Sequence, residues 1–174
     1  MLAGCGGSDD DSDEASTTTS VPAETETATT AENTRLSAAS WATYQAAAAR
    51  AQKVNQSATA VFRRCADKIP TATNGDAVAS CMGGATGTVV QEGTSLLQTL
   101  DGLEQETSGA CAAALEDLAG NVKLYVSSVN GLDTSIENDQ TAGMQGQIDD
   151  SLQVLAQARA ARAPVTAACK PVAG

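Results

Sequence analysis

Apolar side chains recur along most of the chain at steps of three and four residues, the period that returns a side chain to one face of an α-helix. One stripe runs through Trp41, Tyr44, Ala48, Ala51, Asn55, Ala58, Phe62 and Cys65, and predicts a helix over about 35–67. A cleaner one, Cys111, Leu115, Leu118, Val122, Tyr125 and Val129 with Leu132 just beyond, predicts a helix over about 108–131. Between them, Val89, Leu96, Leu100 and Leu103 mark the second half of a helix over about 75–103. Its glycines, Gly83, Gly84, Gly87 and Gly93, each cost about 1 kcal/mol relative to alanine, so a break near Gly83 is expected. A fourth helix is expected from near Thr134, where Thr134 and Glu137 have capping-box spacing, and presents Ile136, Met144, Ile148, Leu152, Leu155 and Ala158. Arg159 and Arg162 suit its negative C-terminal end, and Pro164 is expected to end or kink it. The punctuation between helices lies at Pro70–Gly75, around Gln105–Gly109 and at Asn130–Thr134.

Four helices joined by short turns predict an all-α fold, an antiparallel up-down four-helix bundle over residues 35–174. Apart from Cys5, the chain holds four cysteines, Cys65, Cys81, Cys111 and Cys169, an even number at no zinc-like spacing. Up-down topology puts the end of the first helix beside the start of the second, and the start of the third beside the end of the fourth. It therefore selects Cys65–Cys81 and Cys111–Cys169 among the three possible connectivities. The other pairings would span a helix length, against the roughly 5–6 Å between bridged Cα atoms.

Charge separates a second region from the bundle. Of the 21 acids and 10 bases that give the chain its net charge of −11, residues 1–34 hold eight acids and no base. Between Ser8 and Thr34 only Val21 is a large aliphatic, and 12 residues are Ser or Thr. Such a segment buries too little apolar surface to offset the entropy of ordering it. Residues 6–34 are expected to be a disordered, acidic linker with an end-to-end distance of roughly 30 Å. Its Thr17, Thr18, Thr19 and Ser20 cluster resembles the Ser/Thr-rich stalks that carry O-linked sugar.

In front of the linker stands Leu2-Ala3-Gly4-Cys5, followed by Gly6 and Gly7. This resembles the lipobox of bacterial lipoproteins. The resemblance implies that residues 1–5 are the remnant of a lipoprotein signal, whose charged start and apolar stretch belong upstream of Leu2. It also implies that Cys5 becomes the mature N-terminus and carries a diacylglyceryl group on its sulfur. Two acyl chains anchor a protein stably, at about 0.8 kcal/mol per buried CH₂, where one binds only reversibly. The Ala/Thr-rich composition looks like that of lipoproteins from high-GC Gram-positive bacteria. Disulfides agree with an extracytoplasmic location.

The chain has no histidine, which excludes Ser-His-Asp and Cys-His catalysis and histidine-ligated metal centres. Its acidic balance argues against nucleic acid as a partner. Asn55 is read as a buried, register-setting polar residue rather than a ligand contact. Trp41 and Tyr44 are read as core rather than a binding edge. Met82, Met144, Tyr44 and Tyr125 are read as packing rather than haem ligands. Gly83–Thr88 lacks the Lys-Ser/Thr ending of a phosphate loop and reads as a close helix approach. The acidic pairs Glu104/Glu106, Glu116/Asp117 and Asp149/Asp150 read as solvated faces. The expectation is a non-enzymatic, cofactor-free, lipid-anchored module of the cell envelope that binds or scaffolds an envelope partner. The alternative is a carrier holding an apolar small molecule between its helices, which requires an interior cavity of a few hundred Å³.

Overall fold

The first helix starts at Ser37, whose hydroxyl accepts the backbone N–H of Ser40 at 3.0 Å and satisfies one of the donors left open at a helix N-terminus. In this computed structural model, which describes residues 35–69 and 74–172, that helix is α1 (Ala38–Ala66), followed by α2 (Gly75–Met82), α3 (Ala85–Glu104), α4 (Gly109–Glu137), α5 (Met144–Ala160) and α6 (Arg162–Cys169). The described residues form an all-α helical bundle without strands. Cys5, the lipobox and the expected 6–34 linker lie outside the described residues.

The expected break near Gly83 separates α2 from α3. Gly83 and Gly84 both take left-handed backbone conformations (φ 55° and 74°) that favour glycine. Asn74 caps α2 through its side-chain oxygen, which accepts from the Ala77 N–H at 3.1 Å. Farther along, Gly93 is buried, and a Cβ there would collide with the Val126 side chain of α4. The glycine that weakens α3 locally is what lets α4 approach it.

The third predicted helix does not stop at Asn130–Thr134. It continues as α4 to Glu137, and Thr134 is an interior residue whose hydroxyl donates to the Asn130 carbonyl at 3.0 Å. The expected Thr134/Glu137 capping box is thereby corrected, and Ile136 belongs to α4. Leu132, Ser135 and Ile136 are buried, and their packing outweighs the low helix propensity of Asn130 and Gly131. The turn instead falls at 138–143, where Asp139 (φ 57°) and Gly143 (φ 79°) are left-handed. The Asp139 carboxylate accepts the Gly75 N–H and so ties this turn to the start of α2. Pro164 acts as expected: it has no N–H for the carbonyl of Ala160, four residues earlier, and α5 ends there, the chain being interrupted at Ala161 before it resumes as α6.

The core consists of two apolar clusters, one toward each end. The first joins Leu36, Tyr44, Ala47, Ala48 and Ala51 to Leu96–Leu103, Cys111–Val122 and Ala158–Cys169. The second joins Ala58, Phe62, Cys65 and Ile69 to Val78–Val89, Tyr125–Ile136 and Met144–Leu155. Each carries one disulfide, Cys111–Cys169 (Cα–Cα 4.8 Å) in the first and Cys65–Cys81 (Cα–Cα 5.8 Å) in the second. Both bridges match the sequence expectation. At the first end, Arg35 Nη1 donates to the Lys170 and Ala167 carbonyls at 2.8 and 3.3 Å, and the Leu36 N–H to Cys169 at 3.1 Å. The start of α1 therefore caps the end of α6. At the second, the Thr86 hydroxyl donates to Asp133 at 2.7 Å and joins α3 to α4.

Non-reducing peptide mapping is expected to recover Cys65 joined to Cys81 and Cys111 joined to Cys169. The chain-entropy model gives about 4 kcal/mol for the bridge with sequence separation 58 and about 3 kcal/mol for the one with separation 16. Denaturant melts of Cys111→Ala/Cys169→Ala and Cys65→Ala/Cys81→Ala variants are expected to show the larger loss for the first.

Candidate functional site

Where the two apolar clusters meet, the interior is not filled. Here α1 presents Ala48 and Ala51, whose side chains end at Cβ, opposite Leu96 of α3, Leu118 and Val122 of α4 and Leu155 of α5. The shortfall leaves a cavity of about 310 Å³. An apolar void of about 150 Å³ already accepts benzene, and small-molecule pockets begin near 300 Å³. The opposite side of the cavity is polar. Gln52, Asn55 and Gln56 of α1 line it with Arg159 and Arg162. Gln52, Gln56 and Arg159 are exposed, whereas Asn55 and Arg162 are half-buried, so the cavity opens to solvent along this rim.

The charge on this rim has one sign. Two arginines line the cavity and no Asp or Glu does. Arg162 Nη1 donates to Gln52 Oε1 at 2.9 Å. Among the described residues, neither arginine is paired with a carboxylate. The two sit three residues apart across the kink at Ala161, so the end of α5 and the start of α6 together aim them at one opening.

Two phenols stand just beyond the cavity wall. Tyr44 lies one turn before Ala48 on α1, Tyr125 three residues after Val122 on α4, and each is 3% exposed. Both hydroxyls are buried without a hydrogen-bond partner. Burial pushes the Tyr125 phenol up to about 12, against the pull of the Arg159 charge. Burial also raises Tyr44, while the Arg162 guanidinium, near the hydroxyl but outside good hydrogen-bond geometry, works in the opposite direction. The Tyr44 ring packs against Trp41 with centroids 5.1 Å apart.

A second, wider groove of about 450 Å³ lies between α1 and α3, over Val54, Ala58, Val61 and Ala85. Arg50 and Glu92, 3.5 Å apart, close its edge. An ion pair this exposed contributes little to stability, and Lys53 adds a second cation to this groove, which, unlike the cavity, also carries a carboxylate.

The remaining candidates fall largely where the sequence reading put them. Met82 and Met144 are buried in the second cluster, Tyr44 and Tyr125 in the first and second. Gly83–Thr88 is not the expected close helix approach, since a Cβ at Gly83, Gly84 or Gly87 would meet nothing within 4 Å; Gly83 and Gly84 instead supply the left-handed α2–α3 turn, and the hydroxyls of Thr86 and Thr88 are engaged by Asp133 and the Gly84 carbonyl. Glu106, Glu116, Asp117, Asp149 and Asp150 are exposed, and Glu104 is half-buried. Asn55 is not enclosed in the core; it lines the cavity. The arginines are the site residues that periodicity alone missed: Arg159 and Arg162 read as partners of a helix end, and their shared edge with Ala158 and Leu155 was the available clue. Among the described residues, no cluster of His, Cys, Asp or Glu could hold a metal ion, and no helix is long and apolar enough to cross a membrane. Comparison with protein families, curated proteins and solved structures finds no match to the chain.

The unfolded chain releases its phenolic protons near 10.0, whereas the folded protein holds that of Tyr125 to about 12. Stability is therefore full below pH 10 and falls as pH rises through 12. Ultraviolet titration is expected to show both tyrosines ionising later in the folded protein than in denaturant. Tyr125→Phe removes a hydroxyl that has no partner. It is expected to change stability by less than about 1 kcal/mol at neutral pH and to flatten the alkaline decline.

Proposed function

We propose that this protein is a lipid-anchored binding module of the bacterial cell envelope whose ligand is a small molecule held in the cavity between α1, α3, α4 and α5. The cavity is the observation that carries the reading. It provides an apolar wall for burial and a polar, solvent-facing rim for orientation, which is the division of labour in small-molecule sites. In this reading the protein is a carrier or sensor rather than an enzyme. Docking to an envelope protein through an apolar face has less support, since the large apolar side chains exposed among the described residues are the isolated Leu124 and Val172.

The bundle is read as four antiparallel rods, with α2 and α3 one rod broken at Gly83–Gly84 and α5 and α6 another kinked at Ala161. This up-down arrangement is supported by the two clusters, each of which gathers one end of every rod. The acidic segment 6–34 serves as a spacer, and a diacylglyceryl thioether on Cys5 holds the module at the outer face of the cytoplasmic membrane. The lipobox residues Leu2, Ala3, Gly4 and Cys5 support that placement. Arg35, bonded to the end of α6, supports an exit for the spacer at the end of the bundle stapled by Cys111–Cys169.

Expression of the full reading frame in a Gram-positive host, followed by fractionation and mass spectrometry of the N-terminal peptide, tests the anchor. The expected product is membrane-bound and begins at a diacylglyceryl-modified Cys5. A cytosolic product with a free Cys5 thiol contradicts it. Native mass spectrometry of the same material tests the cavity, with a co-purified small molecule as the expected result.

A further inference from the structure

We propose that the cavity selects an amphipathic organic anion, a single carboxylate or phosphate head carried on a short apolar chain, and that Arg159 and Arg162 receive the head. The proposal deepens the cavity-binding reading and rests on it. Its first support is the charge pattern. In a chain with 21 acids and 10 bases, the cavity carries two cations and no carboxylate. Facing the other groove, between α1 and α3, Arg50 has Glu92 at 3.5 Å. Arg159 has no such partner among the described residues, and Arg162 bonds only a neutral amide, that of Gln52. Guanidinium forks on a partly desolvated rim are completed by an oxyanion, which accepts two parallel hydrogen bonds from one fork.

The second support is the division of the lining. Gln52, Asn55 and Gln56 surround the arginines with further polar groups, while Leu96, Leu118 and Leu155 offer nothing to hydrogen-bond. A neutral polar ligand wastes the charges and a wholly apolar one leaves them unpaired, whereas an amphipathic anion satisfies both walls. Size narrows the class again. About 310 Å³ accommodates a head group and a chain of several carbons, not the paired acyl chains of a membrane lipid. Tyr44 and Tyr125 add two buried hydroxyl donors without acceptors near the same wall.

Isothermal titration of the disulfide-bonded full chain with octanoate, octyl phosphate and octan-1-ol separates the possibilities, since the three share a tail and differ in the head. At least one anion is expected to bind about tenfold or more tightly than the alcohol, the scale of one charge-assisted hydrogen bond. The tighter of the two anions identifies the head as carboxylate or phosphate. Arg159→Gln/Arg162→Gln is expected to erase the preference and Arg63→Gln, on the exposed face of α1, to leave it intact. Arg159→Gln alone, at an exposed position, gives the same readout with a smaller loss if the double variant fails to fold. Equal binding of anions and alcohol, or a preference that survives loss of the arginines, overturns anion selection while leaving the cavity as a binding site. Binding of none of the three overturns both.

Discussion

The inward face of α1 is built from alanine, and most of the structure follows from that choice. Ala47, Ala48, Ala51 and Ala58 are buried there, where a bundle ordinarily places leucine or isoleucine. Each contributes a single methyl to the core. With one Trp, two Tyr and one Phe in 174 residues, few large rings replace the missing volume. Helices packed against such a face approach closely but bury little apolar area per residue. Stability must then come from elsewhere, and space is left where the opposing side chains do not reach.

Stability is supplied at the ends. Each apolar cluster holds one disulfide, and each end also has polar ties between helices: Arg35 onto the last turn of α6 at one, and Thr86 to Asp133 and Asp139 to Gly75 at the other. The middle is held by side-chain packing and the Ser128–Ser151 hydroxyl pair at 2.7 Å between α4 and α5. A bundle clamped at both ends tolerates a cavity at its waist, because opening there does not free any helix terminus. The two arginines sit at this waist, where α5 gives way to α6, and the kink that orients them is a local consequence of the chain's turn at Ala161.

Periodicity carried most of the fold into view. The stripes Trp41–Cys65 and Cys111–Leu132 are buried as their spacing demands, apart from the half-buried Trp41 and Asn55, and the disulfide pairing followed from topology alone. The helix boundary at Asn130–Thr134 did not follow, because Asn130 and Gly131 are poor helix formers only locally. The burial of Leu132 and Ile136 against α5 and α2 is a tertiary term that no short window contains. Pro164 was legible as a break, because a proline cannot bond the carbonyl four residues before it, and α5 ends at that residue, Ala160. The cavity was legible only as a possibility of the alanine-rich face. Its location depends on which leucines face Ala48 and Ala51 across three other helices, and its charge depends on a kink that rotates Arg162 toward Gln52.

Filling the void tests this account most directly, because it needs no ligand. Ala51 lines the cavity, whereas Ala47 is 2% exposed on the same helix and does not. Equilibrium denaturation of Ala51→Leu and Ala47→Leu compares the two. If the waist is open, Ala51→Leu leaves stability unchanged or raises it, while Ala47→Leu overpacks and loses about 1–3 kcal/mol. An equal loss at both positions would mean that the interior is closed around Ala51, and that the alanine face leaves no space at all.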